Sequence, residues 1–360
     1  MKEIGSTYWM SDEKYREILA GPVISSNEYE AGGEDKAYFS TARQAIRFCL
    51  QDLQADKKTA LLPEFTCASV IQPFQQEGFS LYFYPLDAKL RVSTKTINEL
   101  LVKHKADVLL MHPYFGFNTI DEDEAIIEGT TVIYDATQSF FSGFSYSQAD
   151  YIVASIRKWG PFPEGAYCVK RYGEFANKAR FPEDEEYLTL IKQAFLRKAA
   201  YIEQDSGDKD EFRKLYSQAQ TIIRSRSDLY RMSEESMNIY KRYDFASMIC
   251  SRRANYQTLL EYSSWDKLGD LISPVLSAEV VPLYFTMMLT KTPREKFQHH
   301  LAGHDIYAPV IWPKAPFFDT RGVGEQADRI YSRILSIPMD QRYSTVDMQK
   351  IISVIELYEN

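Results

Sequence analysis

Cysteine is scarce in this chain. The four residues, Cys49, Cys67, Cys168 and Cys250, lie too far apart for a CxxC pair or a zinc-ligand set, which excludes a disulfide framework and points to a reducing cytoplasm. Long apolar runs are missing as well: no stretch approaches the ~20 residues of a membrane helix, and the N-terminal MKEIGSTYWMSDEKYREIL is charged where a signal peptide has its apolar core. A soluble protein without a membrane partner is expected. Positive charge is not in excess, since 42 Lys and Arg against 50 Asp and Glu leave a net −8, which argues against a nucleic-acid surface. No Pro/Gly-rich or polar low-complexity tract and no internal repeat interrupts the chain. Histidine numbers five, and only His299, His300 and His304 cluster, in FQHHLAGH. With no carboxylate or cysteine at ligand spacing, a solvated helix end is the better reading there than a metal site.

What is present is the make-up of a globular enzyme, 45% hydrophobic and 26% charged, in a chain of 360 residues that is too long for one ordinary core. From residue 37 to about 170 helical and strand patterns alternate, the mark of α/β architecture with a largely parallel sheet. In STARQAIRFCLQDLQ the residues Ala42, Ala45, Ile46, Cys49, Leu50 and Leu53 form one helical stripe. TALLP, SLYFYPLD, ADVLLMHPYFG, TTVIYD, DYIVASI and GAYCVK read as strands; CASVIQPFQQEG and TKTINELLVKHK read as helices, the first ended by Gly78. Long charged helices follow between about 172 and 260. A final stretch with the strand-like VVPLYFTMML and the amphipathic TVDMQKIISVIELY reads as a small α/β domain. The expected division is an N-terminal segment over 1–36, a large domain with a helical insertion over 37–235 and a small C-terminal domain over 236–360.

Three places invite chemistry. Ser40 and Thr41 stand just ahead of the first amphipathic helix, where unpaired amides and the positive end of the dipole make an anion site; the plain alternative is an N-cap. Asp135 ends a central strand, where open α/β sheets place their ligands, with Gln138 three residues on; an ordinary strand-end or capping Asp is about as plausible. Lys158, in SIRKWGPFPEGAY, follows an apolar strand and is flanked by Trp159 and a Pro-containing loop. A lysine in a partly dry pocket can lose its proton and form a Schiff base, although a solvated loop lysine is the simpler reading of any one lysine. Together the three offer a phosphate cradle, an acid for a ring nitrogen and an amine, the three handles of pyridoxal phosphate.

The order of the blocks YFSTARQAI, LLPEFTCASVIQPFQQEG, ADVLLMHPYFG, VIYDATQSF and VASIRKWGPFPEGAYCVK resembles the DegT/StrS sugar aminotransferases, a fold type I pyridoxal-phosphate family, over most of the chain and best between residues 38 and 170. The resemblance implies a large domain with a mostly parallel central sheet flanked by helices, a smaller C-terminal α/β domain, and pyridoxal 5'-phosphate as cofactor. Lys158 and Asp135 become the catalytic residues. Ser40, Thr41, Ala42, Cys67, Asp135, Gln138, Ser155 and Lys158 become the cofactor-binding set, with Thr41, Ala42 and Ser155 on the phosphate. The implied reaction passes an amino group from an amino acid such as glutamate to a keto-sugar, nucleotide-linked in the expected case, in a cytoplasmic homodimer. Asn238 is the nearest match to the asparagine with which a partner subunit usually reaches the phosphate. The sequence departs from the family where Cys67 replaces the aromatic that stacks on the cofactor ring, with Phe65 two residues before it, and where Ser155 precedes Lys158 by three residues rather than five. A pyridoxal-phosphate sugar dehydratase or lyase, and a non-catalytic binding relative of the fold, are the alternatives. Lys158 counts against those dehydratases that carry His at its position.

Overall fold

The apolar stripe of STARQAIRFCLQDLQ folds as expected into a helix, Ala42–Asp52, that buries Ala45, Ile46, Cys49 and Leu50, and also Phe48 and Gln44. The computed structural model describes residues 3–24, 32–53, 58–177 and 179–359; within the segment expected over 1–36, residues 1–2 and 25–31 lie outside the described residues. In chain order the strands are β1 (Ile4–Gly5), β2 (Asp35–Phe39), β3 (Thr59–Pro63), β4 (Ser80–Tyr84), β5 (Val92–Ser93), β6 (Val108–Met111), β7 (Ile120–Asp121), β8 (Thr131–Asp135), β9 (Tyr151–Ser155), β10 (Ala166–Lys170), β11 (Asp270–Leu271), β12 (Phe285–Met288), β13 (Ile306–Tyr307) and β14 (Ile334–Ile337). The helices are α1 (Asp12–Ala20), α2 (Ala42–Asp52), α3 (Ala68–Gln76), α4 (Thr94–His104), α5 (Glu185–Glu203), α6 (Lys209–Ser225), α7 (Glu234–Tyr240), α8 (Phe245–Leu260), α9 (Arg294–Ala302), α10 (Phe317–Arg321), α11 (Glu325–Arg333) and α12 (Thr345–Glu359).

The chain divides into two compact units, one of residues 1–6, 55–149 and 245–360, the other of residues 7–54 and 150–244. In the first unit four strands run parallel in the order β8-β6-β3-β4, with α3 crossing between β3 and β4 and α4 between β4 and β6. This is the parallel α/β architecture that the alternating pattern predicts. All four residues of β6, and all but the first of β3 and β8, are buried, because helices on both faces leave a parallel strand no wet side. Burying such aliphatic side chains stabilises by about 1.5–3 kcal/mol each. The same unit holds a three-stranded antiparallel sheet, β11-β12-β14, and the pair α8 and α12. The expected strand in VVPLYFTMML is β12 and the expected C-terminal helix is α12. The His cluster lies on α9 and in the turn after it, where His300 Nε2 bonds the Val354 carbonyl at 2.8 Å and its ring packs on Tyr358.

The second unit carries β2, β10 and β9, paired antiparallel in that order. GAYCVK is therefore a strand, as expected, but it runs against its neighbours. Only ten residues separate β9 from β10, too few for the crossover a parallel pairing needs. Helix α2 packs over all three strands. Its last residue, Asp52, is anchored from below: Oδ2 accepts hydrogen bonds from Lys170 Nζ and from the Tyr151 hydroxyl, both at 2.7 Å, and Oδ1 from the Ala176 amide at 2.7 Å. Burial alone would raise this carboxyl; the Lys170 ammonium and the two other donors outweigh it and hold the group below the usual carboxylate range. The long charged helices expected between 172 and 260 form as α5 here and as α8 in the first unit; α5 packs on α6, and the DSGDKDE break falls at the α5–α6 junction.

Candidate functional site

In the second unit the register sets Ser155, Ala166 and Phe39 side by side across β9, β10 and β2. The segments that continue from this edge are Ser40–Thr41, the 3₁₀ turn Ile156–Lys158 and the loop through Gly165. Thr41 is the N-cap of α2, with the extended backbone (φ −140°, ψ 153°) that a cap requires. Its side chain nevertheless caps nothing: Thr41 is 4% exposed, and Oγ1 is buried without a hydrogen-bond partner. A buried hydroxyl left unpaired costs about 1–3 kcal/mol, so an orphan at an open helix N-terminus marks a place for an anion's oxygen. Ala42 opens the helix behind it with an amide that has no acceptor within the helix. Ser40 is buried as well, and its backbone is tied on both sides, its amide to the Tyr230 carbonyl at 2.9 Å and its carbonyl to the Gly165 amide at 2.8 Å.

Ser155 is buried at the end of β9. Lys158 ends the 3₁₀ turn and is exposed, while the next residue, Trp159, is fully buried. Trp159 anchors the turn from one side, and its amide returns to the Ile156 carbonyl at 3.0 Å. From the other side Tyr187 of α5, itself fully buried, donates to the Pro163 carbonyl at 2.5 Å and accepts from Arg157 Nη1 at 3.3 Å. Gly165 has φ +134°, outside the range of residues with a Cβ, and a Cβ there would lie 3.0 Å from Met232.

In the first unit the carboxyl ends of the parallel strands gather Glu64–Cys67 after β3, His112–Gly116 after β6 and Asp135–Gln138 after β8. Asp135 is 5% exposed, and its Oδ1 accepts the Thr137 amide at 2.9 Å, capping the 3₁₀ turn Ala136–Gln138. Gln138 is buried and uses Oε1 to accept the Phe115 amide at 2.8 Å, fastening a loop in which Phe115 and Gly116 both have positive φ. Cys67 is the half-buried N-cap of α3, its Sγ accepting from the Ser69 hydroxyl at 3.0 Å. Phe65 is fully buried among Tyr114, Trp312 and Tyr331, with ring centroids 5.7, 5.1 and 5.0 Å away, so its ring is engaged within the unit. Asn238, on α7, accepts from Arg242 Nη1 at its backbone carbonyl (3.3 Å) and at Oδ1 (3.1 Å).

Two residues at these edges carry no signal that sequence reasoning used. Glu164, fully buried in PFPEGAY, shows only as a lone carboxylate in an apolar stretch. His112 lies one step beyond the last register pair, Met111 with Tyr134, and Asp135 lies one step beyond it on the other strand. Its Nε2 is 3.3 Å from Thr66 Oγ1, and its Nδ1 is buried without a hydrogen-bond partner. Burial pushes this imidazole down to about 3, the Pro113 carbonyl offsetting little. The folded protein keeps His112 neutral while the unfolded chain protonates it near 6.5, so stability is full above that pH and is lost as pH falls toward about 3. The loss approaches about 1.4 kcal/mol per pH unit. Urea midpoints at pH 7 and pH 5 check this: the wild type should lose more between them than His112→Asn, and equal losses would show that His112 does not titrate this way.

Among the described residues no helix is long and apolar enough to cross a membrane. No protein-family profile matches the sequence, and no curated protein matches it either. Solved structures do. The aminotransferase PseC of Helicobacter pylori, involved in pseudoaminic acid biosynthesis, matches at TM-score 0.66 and 12% identity over 99% of each chain. A DegT/DnrJ/EryC1/StrS aminotransferase of Brucella abortus matches at 0.62 and 15% over 98% of this chain and 91% of that one. The dehydratase ColD, which acts on GDP-4-keto-6-deoxymannose, matches at 0.63 and 14% over 98% of this chain and 99% of its own. The chain has the fold these structures share, the mostly parallel α/β fold of the DegT/StrS-type aminotransferases.

Proposed function

We propose that this protein is a pyridoxal-phosphate-dependent aminotransferase that passes an amino group from an amino acid, glutamate in the leading case, to a nucleotide-linked keto-sugar. The observation that carries the reading is Thr41: a buried, unpartnered hydroxyl at the open N-terminus of an eleven-residue helix fits one oxygen of a phosphate. The remaining roles follow the resemblance and belong to the same proposal. Thr41 Oγ1 and the Ala42 amide hold the phosphate, with Ser155 beside them. Asp135 keeps a proton on the ring nitrogen, Gln138 offers its amide nitrogen as a further donor, and Cys67 supplies a sulfur face in place of an aromatic ring. Pyridoxal phosphate, when bound, supplies the electron sink for breaking the substrate C–H bond. Lys158 Nζ takes that proton from the substrate carbon and returns it to the neighbouring position, a general acid–base role worth about 10²–10⁴ in rate. The sugar specificity, a homodimer completed through Asn238 or a neighbour, and a cytoplasmic location belong to the same reading.

The test begins with the purified protein and pyridoxal phosphate. Visible absorption at the violet edge should develop, shift on addition of glutamate, and return on addition of a nucleotide-linked 4-keto-sugar as the aminated sugar forms. Loss of water from the sugar without amination would move the reading to a dehydratase, and an absent band to a non-catalytic relative. Thr41→Val removes only the hydroxyl and should weaken pyridoxal phosphate binding about tenfold or more, the worth of one bond to a charged group. Unchanged affinity would release Thr41 from the phosphate.

A further inference from the structure

Ser142 has no part in the chemistry above, yet it grips the same loop as Gln138. The two belong to one run of turns, in which the Ser139 amide donates to the Ala136 carbonyl at 3.0 Å and the Ser142 amide to the Ser139 carbonyl at 2.8 Å. Both are buried. Gln138 Oε1 accepts the Phe115 amide at 2.8 Å, and Ser142 Oγ donates to the Gly116 carbonyl at 2.7 Å, so side chains from one turn hold neighbouring residues of the loop. A third attachment comes from the segment Val281–Leu283. The Leu283 amide donates to the Phe115 carbonyl at 2.9 Å, and the Val281 amide donates to Ser142 Oγ at 3.0 Å. Arg252, itself fully buried, fixes that segment in turn, its Nη1 donating to the Leu283 carbonyl at 3.0 Å.

The loop requires such holding. Phe115 has φ +57°, a region that a residue with a Cβ keeps only where its surroundings over-determine it, and Gly116 has φ +101°. A Cβ on Gly116 would lie 2.2 Å from the Val281 carbonyl oxygen, so the close approach admits only glycine. The Phe115 N–H also decides which way the Gln138 amide turns. A backbone N–H can be met only by Oε1, which leaves Nε2 as the end of the amide that can face a ligand. We propose that Ser142 is a positioning residue for Gln138: by tying the Gly116 carbonyl to the Val281 amide it holds the Phe115 N–H in place, and Gln138 therefore presents a donor to the bound cofactor. The inference rests on the proposed role of Gln138 toward pyridoxal phosphate. A donor stabilises the deprotonated form of the oxygen it meets, so it lowers the pH at which the visible band changes.

The test titrates the visible band of the loaded protein against pH, with thermal midpoints measured alongside. Gln138→Met, which has no donor, should raise the pH midpoint of the band by about one unit. Ser142→Ala should move it in the same direction by less, and in the double variant the Ser142 change should add nothing, the coupling expected of a residue that acts through another. In the cofactor-free protein, amide hydrogen exchange across residues 113–118 should quicken in Ser142→Ala. If no band develops in the wild type, the cofactor reading and this inference fall together. An unmoved midpoint in Gln138→Met takes Gln138 off the cofactor, again with the inference. A shift in Gln138→Met but none in Ser142→Ala, shifts that add in the double variant, or unchanged exchange would overturn the positioning role and leave Gln138 in the site. Should Gln138→Met fail to fold, Ser142→Ala decides alone: a lower thermal midpoint with an unmoved band makes Ser142 merely structural.

Discussion

Lys158→Ala is expected to abolish turnover, with a fall of at least about a thousandfold, roughly 4 kcal/mol of transition-state stabilisation. The visible band acquired with pyridoxal phosphate should vanish as well. The expectation rests on the placement of the side chain. Lys158 ends a 3₁₀ turn whose shape is fixed by neighbours, with Trp159 fully buried behind it and the Gly165 carbonyl holding Ile156, so removing an exposed amine leaves the turn intact. Lys170 serves as the control. Its ammonium is committed to Asp52 and to the Glu174 carbonyl, and Lys170→Ala should lower the unfolding midpoint while leaving turnover in place. Measuring steady-state rates and urea midpoints for both variants separates the two lysines. Comparable turnover in Lys158→Ala and the wild type would make Lys158 an ordinary loop residue.

Asp135→Asn should keep the fold and most of the cofactor affinity yet lose the rate. The amide oxygen of asparagine can still accept the Thr137 amide that Oδ1 accepts at 2.9 Å, so the cap of the 3₁₀ turn survives. What the amide cannot do is bias a ring nitrogen toward its protonated form, which takes a negative charge and a charge-assisted hydrogen bond. The contacts of Thr41 and Ala42 are untouched by the change. The expected loss is at least about a hundredfold in the single-turnover rate with an amino donor, roughly 2.7 kcal/mol. A residue that merely caps a turn gives the opposite pattern, a lower thermal midpoint with near-normal turnover.

The parts of the fold that sequence made legible are those set by local periodicity. The stripe of Ala45, Ile46, Cys49 and Leu50 needed only the spacing of a helix, and the all-apolar VLLM of β6 needed only the length of a strand covered on both faces. Direction was another matter. AYCVK of β10 has four buried residues in five, and such a run reads the same whether its neighbours are parallel or antiparallel. The grouping of residues 7–54 with 150–244 is equally invisible, because it depends on pairings such as Phe39 with Ala166, which no periodicity encodes. The candidate site divides in the same way. Thr41, Asp135 and Lys158 sit at ends of elements, where local pattern locates them. Glu164 and His112 are held by partners distant in sequence, Ser233 for one and Thr66 for the other, and those contacts exist only in the folded chain. Phe65, the aromatic two residues before Cys67, is claimed by Trp312 and Tyr331 from more than two hundred residues away.

The central claim is that Lys158 is the residue that bonds pyridoxal phosphate. It is met most directly by incubating the protein with the cofactor, reducing with borohydride, digesting and mapping the modified peptide by mass. The account predicts one stable adduct, on the peptide carrying SIRKWGPF, at Lys158 and in proportion to the visible band before reduction. An adduct at any other lysine, or a protein that holds the cofactor with no reducible bond, would contradict it.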